Sequence, residues 1–241
     1  MSQEVTNPII FALDVATAEE ARRFVALLKD AVWGFKVGKE LFTWMGPDVV
    51  RMIQDMGGRV FLDLKYHDIP ATVAGASASA TRLGVAMFNL HIVGGWDMMQ
   101  RAMDAVTATA ARERMPCPRV LGVTVLTSLR ESDLQAVGIT RSLEEQAVQL
   151  ARLAEKAGLD GVVASPKEIQ PIREVCGADF LVVTPGVRPE ESVRHDQARI
   201  STPSQAMAAG ASYLVVGRPI RDSSDPVKAV QDILSEIQAA A

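Results

Sequence analysis

The segment Phe61-Leu62-Asp63-Leu64-Lys65-Tyr66-His67-Asp68-Ile69-Pro70 places two acids and a base within six residues. Along an extended strand side chains alternate, so Asp63 and Lys65 share one face while Leu62 and Leu64 share the other. A charged pair facing an apolar interior loses hydration that mutual attraction barely returns, so it points to chemistry rather than to stability. Asp14 closes the apolar run Ala12-Leu13-Asp14, and Lys36 sits within Phe35-Lys36-Val37-Gly38. On neighbouring strands these four charges would alternate acid, base, acid, base, an array suited to moving a proton and holding developing charge.

A second constellation lies near the C-terminus. In Val215-Val216-Gly217-Arg218-Pro219, Gly217 lets a backbone approach closely and Arg218 offers charge-assisted hydrogen bonds to a phosphate. Upstream, residues 185–202 are rich in Arg, Glu, Asp and Ser and have no hydrophobic period, which predicts a functional loop. Placed after a seventh strand, it reads as a lid from which Arg188 and Gln197 reach the anion, with Arg194, His195 and Arg199 solvated. Thr127 and Ser165 complete the polar set at strand ends. His91 reads equally as a hydrogen-bonded interior histidine or a ligand contact, and His67 as structural, opposite Lys65 if the strand period persists.

The elements that must hold these residues are legible as short apolar runs separated by amphipathic stretches. Strands are expected at 9–15, 34–37, 60–65, 87–91, 120–124, 161–164, 180–184 and 213–217. Helix starts are signalled by Thr17 with Glu20 and Ser142 with Glu145, and by Ser165-Pro166, Thr202-Pro203 and Asp225-Pro226. Stripes such as Ala147, Leu150, Ala154 and Ala157, or Val227, Val230, Leu234 and Ile237, give helices one apolar face. Eight strand–helix units in 241 residues predict a single (β/α)8 barrel domain over residues 1–241, and the first strand lacks the glycine fingerprint of a doubly wound sheet. In such a barrel the active site lies at the C-terminal ends of the strands, where the charges above fall.

Composition narrows the function. A net charge of −4 provides no field for nucleic acid or anionic lipid, so an anionic ligand must be caught locally. The first residues lack a signal-peptide pattern, and no run of about 18 apolar residues predicts a membrane span. Cys117 and Cys176 fall outside metal-binding spacings and read as inert thiols of a reducing, cytoplasmic setting.

Taken together, Phe11-Ala12-Leu13-Asp14, Lys36-Val37-Gly38-Lys39-Glu40, Asp63 through Pro70, Val123 through Ser128, Val183 through Arg188 and Gly217-Arg218-Pro219 resemble the bacterial type of orotidine 5′-phosphate decarboxylase family. The resemblance implies a TIM barrel that converts orotidine 5′-monophosphate to UMP and CO2 without metal or cofactor. It implies that Asp14 binds the ribose, Lys36 and Asp63 flank the reacting carbon and Lys65 donates the proton. Thr127 would meet the base, and Arg188, Gln197, Gly217 and Arg218 the phosphate. The family is a homodimer, so Asp68 and Thr72 would complete the partner's site. Tyr66 and Ala71 depart from the family's commonest residues without touching this chemistry. Metal-dependent relatives share the Asp-x-Lys-x-x-Asp element, but are expected to place a carboxylate, not Lys36, beside the cation. A silent phosphate-binding barrel would need the anion site alone, not the charged array.

Overall fold

The computed structural model describes residues 7–188 and 201–240. Among them eight parallel strands close into a barrel in sequence order. The strands are β1 (Ile9–Ala12), β2 (Gly34–Gly38), β3 (Val60–Tyr66), β4 (Met87–His91), β5 (Arg119–Val123), β6 (Gly161–Val163), β7 (Leu181–Pro185) and β8 (Tyr213–Val216). Helices occupy the connections, as expected of βα units, and none is long and apolar enough to cross a membrane among the described residues.

Alternation along the strands divides the apolar residues into two cores. Ile10, Ala12, Phe61, Met87, Leu121, Val183, Tyr213 and Val215 cluster inside the barrel. Ile9, Phe11, Leu62, Phe88, Val162 and Leu214 face the helices. The Leu143–Lys156 helix buries Ala147, Leu150, Ala151 and Ala154, the stripe its sequence predicts. Its cap is a reciprocal pair in which Glu145 N–H donates to Ser142 Oγ at 3.2 Å and Ser142 N–H donates to Glu145 Oε2 at 3.0 Å. Thr202 with Gln205 and Ser165 with Glu168 form the same box, and Asp225 accepts from Lys228 N–H. At Thr17 only the forward half forms, because Glu20 Oε2 accepts from the Thr17 hydroxyl at 3.3 Å instead of from its backbone.

Seven of the eight strands differ from their expected bounds by one to three residues, and three of these shifts bear on the site. β1 stops at Ala12 rather than at 15, since its pairing with β8 ends at Phe11–Val216, and Asp14 therefore stands on the loop. β8 ends at Val216, leaving Gly217 at the head of the next helix. β3 runs on to Tyr66 through an irregularity, with Leu62 opposite Phe88 but Tyr66 opposite Leu90. Three β3 residues thus face Asn89 alone, a bulge of the kind that re-aims side chains near active sites. The strand period ends there, so His67 does not take a place on the face opposite Lys65; it is exposed beside His91, with ring centroids 5.5 Å apart.

Candidate active site

Inward alternation continues from the apolar barrel interior into charge. Phe61 is followed on its face by Asp63 and Lys65, and Ala12 by Asp14. Lys36 reaches from β2 between two acids, with Nζ 2.9 Å from Asp14 Oδ1 and 3.6 Å from Asp63 Oδ2. Lys65 Nζ lies 2.6 Å from Asp63 Oδ1. The expected order of acid, base, acid, base is therefore a continuous ion-pair chain over adjacent strands. Asp63 and Lys36 side chains retain only 12% exposure, whereas Asp14 keeps 51% and is open to a ligand. Gly38 leaves room for this approach, because an added Cβ would stand tightly at 3.2 Å from Lys36 Nζ and 3.3 Å from Asp14 Oδ1.

Strand alternation and motif spacing do not single out Asn89. It is fully buried on β4, donates through Nδ2 to Asp63 Oδ1 at 2.7 Å, and accepts from Lys65 N–H at 2.8 Å. The signal that marks it is a polar residue within the apolar run Met87-Phe88-Asn89-Leu90.

Lys36, Asp63 and Lys65 form one wall of an inner chamber of about 190 Å³ whose other walls include Phe61, Val123, Val163 and Val215, while Asp14 lines the cleft outside it. Lys36, Thr127, Pro185 and Val215 are shared with an outer cleft of about 860 Å³. Arg130, Arg188, Arg218 and Arg221 line that outer cleft, as do Ser165 and Gly217. Arg221 is tied down, donating to Asp14 O at 3.0 Å and to Asp222 Oδ1 at 2.7 Å. Arg188 N–H donates to Ser201 O at 3.1 Å, which brings together the two ends of the expected lid. Gln197, Arg194, His195 and Arg199 lie outside the described residues. The geometry is bipartite, with an apolar chamber ending in alternating charges and a cationic mouth that suits a phosphate.

Asp68 and Thr72 stand apart from this cleft. Both are exposed, and the Asp68 carboxylate accepts from Ile69 N–H at 2.6 Å. His91 is not among the residues lining the cleft. Burial, then the neighbouring charges of His67, Lys39 and Lys65, push its pKa down to about 4. The imidazole is neutral in the folded protein at pH 6.5, the midpoint for an unfolded histidine. As pH falls from about 6.5 toward 4 the unfolded chain takes up a proton that the folded one refuses, so stability drops. His91→Gln is therefore expected to lose less thermal stability than wild type between pH 7.5 and 5; parallel pH curves would remove His91 from that role.

The chain's likeness to known proteins agrees with this arrangement. The family model described as orotidine 5′-phosphate decarboxylase / HUMPS family matches residues 7–233. An orotidine 5′-phosphate decarboxylase of Syntrophotalea carbinolica is 56% identical over 241 residues, covering 100% of this chain and 98% of that protein. That of Geobacter sulfurreducens is 55% identical, covering 98% of each. The crystal structure of orotidine 5′-phosphate decarboxylase from Lactobacillus acidophilus superposes with a TM-score of 0.84 at 37% identity, covering 96% of this chain and 99% of that one. With a family model matched along nearly its whole length and relatives identical at more than half of their positions, the chain belongs to the orotidine 5′-phosphate decarboxylase / HUMPS family.

Proposed function

We propose that the chain, acting as one barrel domain, decarboxylates orotidine 5′-monophosphate to UMP and CO2 in pyrimidine nucleotide synthesis, with no metal or organic cofactor. The observation that carries this is the ammonium of Lys36 lodged between Asp14 and Asp63, with Lys65 beyond it. A lysine in that place repels a divalent cation, so the alternating chain favours direct decarboxylation over the metal-assisted enediolate chemistry of related barrels.

In the reaction the bond from C6 to the carboxyl carbon breaks, CO2 leaves, and the electron pair stays on C6 in an orbital the ring delocalises poorly. The Lys65 ammonium stabilises that charge as it develops and then transfers a proton to C6, forming the C–H bond of UMP. Solvent restores the proton to the resulting amine. Asp63 holds Lys65 in place, Lys36 flanks the reacting carbon, Asp14 binds the ribose and Thr127 meets the base. The 5′-phosphate takes the cationic mouth at Arg188, Gly217 and Arg218. Binding energy from this remote group is realised in the transition state.

The active form is a homodimer in which Asp68 and Thr72 reach the partner's site. Support comes from their exposure just after β3, where Ile69 is 66% exposed, with Val93 at 51% and Trp96 at 46% exposure just after the neighbouring β4. The two free thiols, Cys117 and Cys176, suit a cytoplasmic enzyme.

The test is the absorbance change of orotidine 5′-monophosphate with purified protein in excess EDTA, and rapid loss is expected. Loss only after Mg2+ is restored would overturn the metal-free chemistry, and no loss under either condition would leave a phosphate-binding barrel. In the same assay Arg218→Ala is expected to raise KM about tenfold and lower kcat about threefold, roughly 30-fold in kcat/KM or about 2 kcal/mol, the scale of one lost charge-assisted hydrogen bond. An unchanged KM would take Arg218 out of the phosphate site.

A further inference from the structure

We infer that Asn89 is a positioning residue for the acid–base centre, a role that rests on the decarboxylase reading above. Lys65 is one of two non-glycine residues in the left-handed region among those described, at φ 54°. That conformation places Cβ against the following carbonyl and is avoided by a lysine unless its surroundings hold it. It arises where three residues of β3 oppose Asn89 alone, so the Lys65 amide has lost its regular ladder acceptor. The Asn89 side-chain carbonyl takes that acceptor's place at 2.8 Å. The other end of the same amide donates to Asp63 Oδ1 at 2.7 Å, the oxygen that also receives Lys65 Nζ at 2.6 Å.

One rigid planar group therefore fixes both the backbone from which the proposed proton donor projects and the carboxylate that aims it. Asn89 is fully buried and is not among the residues lining either compartment. It acts through Asp63 and Lys65. An apolar residue of equal size would fill the same space, yet would leave the Lys65 amide without an acceptor and Asp63 Oδ1 with one donor fewer.

The experiment compares wild type with Asn89→Leu for kcat and KM on orotidine 5′-monophosphate, UMP affinity, and amide hydrogen exchange at Lys65. The expected result is a kcat at least 100-fold lower, KM and UMP Kd within about threefold of wild type, and loss of protection at Lys65 while Phe61 and Leu62 stay protected. A kcat within threefold of wild type in the folded variant would overturn the inference, as would unchanged protection at Lys65. If Asn89→Leu does not fold, Asn89→Val, smaller and favoured in strands, likewise removes both the acceptor and the donor. It should lose protection at Lys65 and lose kcat to the same extent, and near-normal kcat would again overturn the inference. A wild type without turnover would sink the decarboxylase reading instead, and the exchange at Lys65 would then decide by itself whether Asn89 holds that backbone.

Discussion

Lys65→Ala is expected to lower kcat by at least about 10⁴-fold while leaving UMP affinity within a few-fold of wild type. The size follows from losing two contributions at once: a general acid worth about 10²–10⁴ and a fixed positive charge worth about 10²–10³ where carbanion character develops. UMP is the right ligand for the binding arm, since it lacks the carboxylate that an unbalanced Asp63 would repel. Asp63 in the variant keeps Lys36 at 3.6 Å and Asn89 at 2.7 Å, so the pocket is not left with an unpartnered buried charge. Single-turnover kinetics with isothermal titration would check both halves. Turnover at the wild-type rate would rule out Lys65 as the proton donor, whereas loss of UMP binding would mean that the lysine shapes the pocket rather than the chemistry.

Far from this site, Arg173→Met is expected to cost about 3–4 kcal/mol of stability and lower Tm by roughly 10 °C. Arg173 leaves the Ile169–Cys176 helix to bind two neighbouring segments, residues 177–180 and 210–212. Its Nε donates to Gly210 O at 2.8 Å, Nη1 to Gly177 O at 2.8 Å, to Ala178 O at 3.2 Å and also to Phe180 O, and Nη2 to Ser212 Oγ at 2.9 Å. Ser212 Oγ in turn accepts from Val182 N–H at 3.1 Å, so one guanidinium joins the turn before β7 to the turn before β8. Methionine keeps the apolar stem and removes every donor, which leaves half-buried carbonyls to find water. Calorimetric unfolding beside Arg112→Met is the check, because Arg112 makes only a solvent-screened pair with Glu113. Equal Tm values for the two variants would show that the Arg173 bonds carry no special weight.

The eight strand–helix units, the helix caps and the inward face of each strand are legible in the order of residues, because alternation and capping depend on groups within a turn or two of one another. For that reason Asp14, Lys36, Asp63 and Lys65 can be ordered as alternating charges from the chain's own pattern, and Arg188, Gly217 and Arg218 expected at one mouth, where they line the same cleft. The bulge at Lys65, the use of Asn89 as a surrogate ladder acceptor and the hydrogen-bonded staple at Arg173 arise only when the chain is folded. Each of these depends on which atoms of another strand or turn arrive alongside, at separations of 24 residues for Lys65 and Asn89 and 39 for Arg173 and Ser212. A register shift between strands alters no local propensity, so Asn89 resembles any polar residue in an apolar run until β3 and β4 are paired.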